Sequence, residues 1–247
     1  MILTELTGIK NFSDDKTLIE LFQKFIEESK YDLLGSGQTG VVLKRPDKNE
    51  VIKFWYMDEA YEDFIEYAST HKNKHLIKVL TKPKTVTLTT KNKEGVQTKK
   101  KIKYVRLELL KPYTPSIKLF GISFAEFNML LAFMAGKQHK NTFNYTVTSV
   151  IEDPDTYDLL QLDRKNIEGL RDFIKVYVDC MNAMKSDNIW ADLHNENIMM
   201  RGNVPVIVDP AADAGAIDAT AWFLQQNNSY DIKSLATKNK FPDLAGL

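Results

Sequence analysis

Asp192, Asn197 and Asp209 are the residues whose types and spacing could do chemistry together. They lie in the runs Asp192-Leu193-His194-Asn195-Glu196-Asn197-Ile198-Met199 and Val206-Ile207-Val208-Asp209-Pro210. An aspartate and an asparagine five apart on one loop, with a second aspartate ending an apolar strand, make a compact oxygen-rich cluster. Magnesium favours such oxygens and keeps several waters. Such a cluster supplies a base near an attacking hydroxyl and two ligands for a metal on phosphate groups. Taken alone, the same run also reads as a turn whose Asx side chains bond the backbone.

Two upstream patterns bear on that choice. Gly35-Ser36-Gly37-Gln38-Thr39-Gly40-Val41-Val42 spaces its glycines so that backbone N–H groups can approach a polyphosphate. The spacing alone also fits a dinucleotide-binding turn or a surface turn. A dinucleotide turn should open a helix, whereas VVLKRPDKNEVIKFW reads as strand, turn and strand. That favours a hairpin lying over a nucleotide. In Val51-Ile52-Lys53-Phe54 a lysine alternates with apolar neighbours on a strand, which points it away from the core face. By itself it is a solvated strand lysine. Behind a glycine hairpin it supplies the positive charge that α- and β-phosphates need, so ATP and Mg²⁺ are the expected cofactors.

These residues need elements to position them. Residues 14–30 carry Leu18, Leu21, Phe22, Phe25 and Ile26 at helical spacing after the N-cap type Ser13. A β-rich texture begins near Tyr31, interrupted over residues 58–72 by a helical pattern through Tyr61, Phe64, Ile65 and Ala68. TVTLTT and YVRLELL read as strands joined by a lysine-rich hairpin, with lysines at 91, 93, 99, 100, 101 and 103 expected as a solvated tip. A linker falls at residues 111–115. Helical stripes follow through Phe124, Phe127, Leu130, Leu131 and Met134, then through Leu170, Phe173, Ile174, Tyr177, Met181 and Met184. Trp55, Tyr56 and Trp222 read as packing residues.

The order of glycine loop, strand lysine, Asp-x4-Asn loop and Asp-bearing strand resembles the protein-kinase-like superfamily over residues 31–213. The resemblance implies an α+β, two-lobed fold: a small lobe over 1–111 and a reduced helical large lobe over 112–247. It implies Asp192 as the catalytic-loop aspartate, Asn197 and Asp209 as metal ligands, and Lys53 on the phosphates. Gly35, Ser36, Gly37, Gly40 and Val42 would cover the nucleotide, and backbone groups of Glu108 and Leu110 would meet adenine. A narrower likeness is to the early protein kinases of short-tailed bacteriophages, through the V-I-K strand, Ala60-Tyr61-x-x-Phe64 and the shortened H-x-x-N-I-M…D-P signature. That implies phosphorylation of host proteins on Ser or Thr.

The sequence also departs from the superfamily pattern. Trp190 and Ala191 stand where a histidine and an arginine precede the catalytic aspartate, Asp209-Pro210-Ala211 lacks the DFG glycine, and 38 residues follow Asp209. The helix glutamate that would pair with Lys53 is Glu62 or Glu66. His194, placed with the catalytic residues, also belongs to the D-L-H-x-x-N loop of small-molecule kinases of the aminoglycoside phosphotransferase type. A small-molecule kinase and a pseudokinase binding module therefore stand as alternatives. The 33 basic residues balance the 33 acidic ones, which gives no reason to expect nucleic acid or a membrane surface as partner. Cys180 reads as a packed thiol, and the absence of a secretory pattern at the N-terminus makes the cytoplasm the expected compartment.

Overall fold

The computed structural model describes residues 31–36, 40–91, 97–135, 164–186 and 189–213. The helix expected over 14–30, Gly37, Lys93, Trp222 and the tail after Asp213 lie outside the described residues. The chain forms two compact units. The first holds the described residues up to Glu59, with Ala68–Lys72 and Ile77–Leu109. The second holds Ala60–Tyr67, Asn73–Leu76 and the described residues from Leu110 onward. The mixed α+β class expected from the sequence is the class observed.

The first unit is an antiparallel sheet of β1 (Asp32–Ser36), β2 (Gly40–Lys44), β3 (Glu50–Trp55), β4 (Lys84–Lys91) and β5 (Gln97–Glu108), in the order β1-β2-β3-β5-β4. Alternation decides which side chains it buries. Val41, Leu43, Ile52, Phe54 and Ile102 form one apolar cluster, with Tyr31, Leu33, Tyr56, Val86 and Tyr104 packed on it. The register Val42↔Lys53↔Val105 puts those three side by side on the other face. That face is not simply solvated, because Val51, Trp55, Val105 and Leu107 on it are also buried. Glu50, itself buried, takes hydrogen bonds from Arg45 and from Arg106 at 3.4 Å. The two guanidinium groups offset the desolvation of its carboxylate and tie the β2–β3 turn to the end of β5.

Helix α1 (Glu59–Thr70), of which Ala60–Tyr67 belong to the second unit, buries Tyr61, Phe64 and Ile65. Ser123 and Glu126 start α2 (Phe124–Ala135) with a reciprocal capping box: Ser123 N–H donates to Glu126 Oε2 at 2.8 Å and Glu126 N–H to Ser123 Oγ at 3.3 Å. α3 (Arg164–Ala183) buries the expected stripe of Leu170, Phe173, Ile174, Tyr177 and Met181, with Cys180 among them. Burial, then the charge of Asp179, pushes the Cys180 thiol pKa up, as befits a packed thiol. The unit is not only helical. β6 (Lys111–Pro112), β8 (Ile198–Arg201) and β9 (Val204–Ile207) make one small sheet, and β7 (Ile189–Ala191) pairs with β10 (Ala211–Asp213). The two-residue β8–β9 turn has positive φ (62°) at Gly202 and not at Asn203, the pattern of a type II′ hairpin. Among the described residues no helix is long and apolar enough to cross a membrane.

The segment 73–76 pins this hairpin. Ile207 N–H donates to His75 O at 2.8 Å, and the Arg201 guanidinium reaches Lys74 O at 2.8 Å and Leu76 O at 2.9 Å. The buried His75 ring places Nδ1 2.8 Å from Pro205 O, where it must be the proton donor, and rests edge-on against Phe173. Nε2 is buried and has no hydrogen-bond partner among the described residues. Burial therefore lowers the His75 pKa, assisted by Lys74 and Arg201 and opposed by the Pro205 bond and Asp172.

The unfolded chain takes up a proton on His75 that the folded chain resists, so this group's contribution to stability is present above pH ~6.5 and declines as pH falls below it. Melting curves from pH 8 to 5 for the parent and a His75→Phe variant test this. The variant loses the Pro205 bond and starts lower, and its deficit should narrow as pH falls; a constant deficit would exclude the assignment.

Candidate active site

The β7–β10 pairing, with Ala191 opposite Ala211, brings the start of the Asp192 loop against the chain after Asp209. Asp192 N–H donates to Pro210 O at 2.9 Å. Past Asp192 the chain turns through a single 3₁₀ turn, Asn195–Asn197, and Asn197 N–H returns to His194 O at 2.9 Å. The Asn197 side chain then closes the loop: Nδ2 donates to Asp192 O at 2.7 Å, with Asp192 Oδ2 at 3.4 Å. Val208 N–H donates to Asn197 O at 3.0 Å, which sets Asn197 and Asp209 at the same end of the β8–β9 hairpin.

This arrangement assigns the two ends of the Asn197 amide. Nδ2 is used in holding Asp192, and among the described residues none of the hydrogen bonds found for Asn197 uses Oδ1. A carbonyl oxygen left over beside a hairpin end bearing a carboxylate fits a hard cation. Among the described residues there is no group of three or more His, Cys, Asp or Glu suited to a metal. Asn197 and Asp209 would instead offer two oxygen ligands, as few as magnesium accepts when phosphate oxygens and water complete its shell. The Asp192 side chain is 42% exposed, open enough to meet a substrate hydroxyl.

His194 braces this loop. Its Nδ1 lies 3.3 Å from Glu196 N–H, and its Nε2 lies 3.0 Å from Asn197 Nδ2 and 3.9 Å from Asp192 Oδ2. A neutral imidazole accepts at only one nitrogen, so the ring satisfies one of these donors at a time. Tyr177, read from the sequence only as part of an apolar stripe, braces it from below. Its fully buried hydroxyl donates to Pro210 O at 3.2 Å, the same carbonyl that Asp192 N–H uses. Burial, then the nearby charges of Asp192 and Cys180, holds its pKa well above the phenol range, against a hydrogen bond with the Leu193 backbone. The hydroxyl therefore keeps its proton. Helical spacing gives no sign of this role, because phenylalanine would fill the same stripe.

In the first unit, Lys53 and Gly40 are fitted to each other. A Cβ on Gly40 would lie 3.2 Å from Lys53 Cε and 3.0 Å from Phe54 O, so glycine lets the lysine stem pass without either neighbour shifting. Gly35 meets nothing within 4 Å and is not sterically required. Ser36 ends β1 opposite Val41. Glu108 N–H donates to Lys78 O at 3.2 Å, while its Oε1 accepts from Lys78 N–H at 2.8 Å. The adenine contact expected of Glu108 would thus fall to its carbonyl oxygen, and that of Leu110 belongs to the second unit. Of the two helix glutamates, Glu66 takes a hydrogen bond from Lys185 Nζ at 2.5 Å, and neighbouring Asp63 accepts from the N–H groups of Lys185 (2.7 Å) and Ser186 (3.2 Å).

No family model and no curated protein matches the chain. Among solved structures it is similar to the apo form of a thermostable mutant of aminoglycoside phosphotransferase APH(4)-Ia, at 13% identity and a TM-score of 0.33, over 91% of this chain and 84% of that one. That overlap is too loose to assign either fold or activity.

Tyr177→Phe keeps the packed ring and removes the hydroxyl. It should cost about 1 kcal/mol of stability and speed amide hydrogen exchange at residues 189–197 and 208–213, leaving α3 protected. Unchanged exchange in both segments would remove Tyr177 from the site's support.

Proposed function

We propose that this chain is an ATP- and magnesium-dependent phosphotransferase. The observation that carries the reading is the 2.7 Å bond from Asn197 Nδ2 to Asp192 O. It holds a solvent-accessible carboxylate in place and leaves the amide oxygen for a cation, at the hairpin end that bears Asp209. Asp192 would orient an acceptor hydroxyl for in-line attack and take its proton, while Asn197 and Asp209 would hold Mg²⁺ on the phosphates. Bound magnesium supplies charge neutralisation for the transferring group. Lys53, its stem seated across Gly40, would pair with the α- and β-phosphates.

Within that class, we read the chain as a Ser/Thr protein kinase of the phage type, acting on proteins of a bacterial host. This rests on the V-I-K strand, the Ala60-Tyr61-x-x-Phe64 helix and the shortened H-x-x-N-I-M…D-P signature.

Incubation of the protein with γ-labelled ATP, Mg²⁺ and bacterial lysate tests both levels. Label should enter discrete proteins on Ser or Thr. Asp192→Asn should reduce transfer at least ~100-fold, about 3 kcal/mol of transition-state stabilisation, without abolishing nucleotide binding. Label confined to small molecules would replace the protein-kinase reading with a metabolite kinase. Nucleotide binding without any transfer would leave a pseudokinase.

A further inference from the structure

The densest run of like charge in the sequence lies over residues 82–104. Between Lys82 and Tyr104 stand eight lysines and one glutamate, a surplus of seven positive charges in a chain whose 33 basic and 33 acidic residues otherwise cancel. The structure gives this surplus a shape. β3 pairs with β5 only over Lys103–Glu108, whereas β4 pairs with β5 out to Lys91↔Gln97. The outer part of the β4–β5 pair therefore runs on as a two-stranded arm. Alternation places Lys99, Lys101 and Lys103 on one face, the face that carries Val105 and its register partner Lys53. Thr85 lies opposite Lys103, and Thr87 opposite Lys101. Thr85, Thr87, Lys99 and Lys101 are exposed.

The arm also has an open edge. Among the described residues β4 is the outermost strand of the sheet. Its run from Thr85 to Thr90 is Thr-Val-Thr-Leu-Thr-Thr, without a charge or proline of the kind that usually guards such an edge. The lysines stand on the inner strand, where they leave the edge backbone accessible and can still reach over the threonines beside it.

We propose that the β4–β5 arm is a docking surface for an acidic, extended segment of a protein substrate. The segment would add to the β4 edge through main-chain hydrogen bonds. Side chains on alternate residues of an extended chain recur about every 6.7 Å, the spacing of Lys99, Lys101 and Lys103 on β5. Carboxylates at alternate positions therefore match the lysine column in both charge and spacing. A nucleic acid is the weaker fit, because the segment 82–104 has no arginine to fork onto phosphates or guanine, and its one aromatic, Tyr104, is on the opposite face from the lysine column. The arm's role in recruiting substrate rests on the phosphotransferase reading; its affinity for acidic peptide does not.

The test uses the full chain, a fluorescein-labelled twelve-residue peptide alternating Glu and Thr, and a labelled single-stranded oligonucleotide of similar charge. Fluorescence anisotropy should show peptide binding that weakens steeply with salt. K99E/K101E, whose sites are exposed and outside the catalytic groups, should weaken it by roughly tenfold or more. ATP·Mg²⁺ binding, read as a thermal shift, should be equal in the two proteins. Equal peptide affinity in both proteins, or an oligonucleotide that binds more tightly than the peptide, would overturn the proposal. Charge-sensitive peptide binding without any ATP·Mg²⁺ shift would keep the docking surface and remove the phosphotransferase reading.

Discussion

One carbonyl oxygen, that of Pro210, accepts a hydrogen bond from the Asp192 backbone and another from the buried Tyr177 hydroxyl. Through it, the loop bearing Asp192, the residues between β9 and β10 that include Asp209, and α3 share a single atom. Two carboxylates that act on one phosphoryl group must be set relative to one another, and shifts of about 1 Å are costly in such chemistry. A proline at 210 suits the position, since only its carbonyl is used in these contacts. Pro210 is thus compatible with an ordered loop at this point. The β7–β10 pairing on one side and the segment 73–76 on the other keep the flanking strands from moving independently.

The electrostatic design of the two units differs. In the first, a buried carboxylate, Glu50, is matched by two guanidinium groups and serves the sheet. In the second, the carboxylate at Asp192 is partly open to solvent, with the Asn197 amide and the His194 imidazole beside it. Asn197 Nδ2 donates to the Asp192 backbone carbonyl and so fixes the residue's place through a neutral contact.

Much of this was legible in the sequence where a period or a spacing carries the information. Alternation in GVVLK and EVIKFW identified both strands, which the structure pairs with Val42 opposite Lys53. The Asp192-x4-Asn197 spacing matches one extended loop plus a single 3₁₀ turn. What was hidden depends on contacts distant in sequence. Pro112 reads as linker, yet it lies on an outer strand of the β6-β8-β9 sheet, where a missing N–H is tolerated. His75 sits in a lysine-flanked run with nothing to mark its bond to a carbonyl 130 residues later. The covering of the Lys53 face by Val105 and Leu107 required the β3–β5 register, which no local pattern specifies.

The central claim is that Asn197 and Asp209 together hold a divalent cation on a bound nucleotide. Titration of Mn²⁺ into the protein with a non-hydrolysable ATP analogue, followed by electron paramagnetic resonance, reads that event without requiring a substrate. The account predicts one tightly bound, nucleotide-dependent Mn²⁺ in the parent protein, weakened by Asn197→Ala and again by Asp209→Asn while both variants stay folded. Mn²⁺ binding that is the same in all three proteins would contradict it.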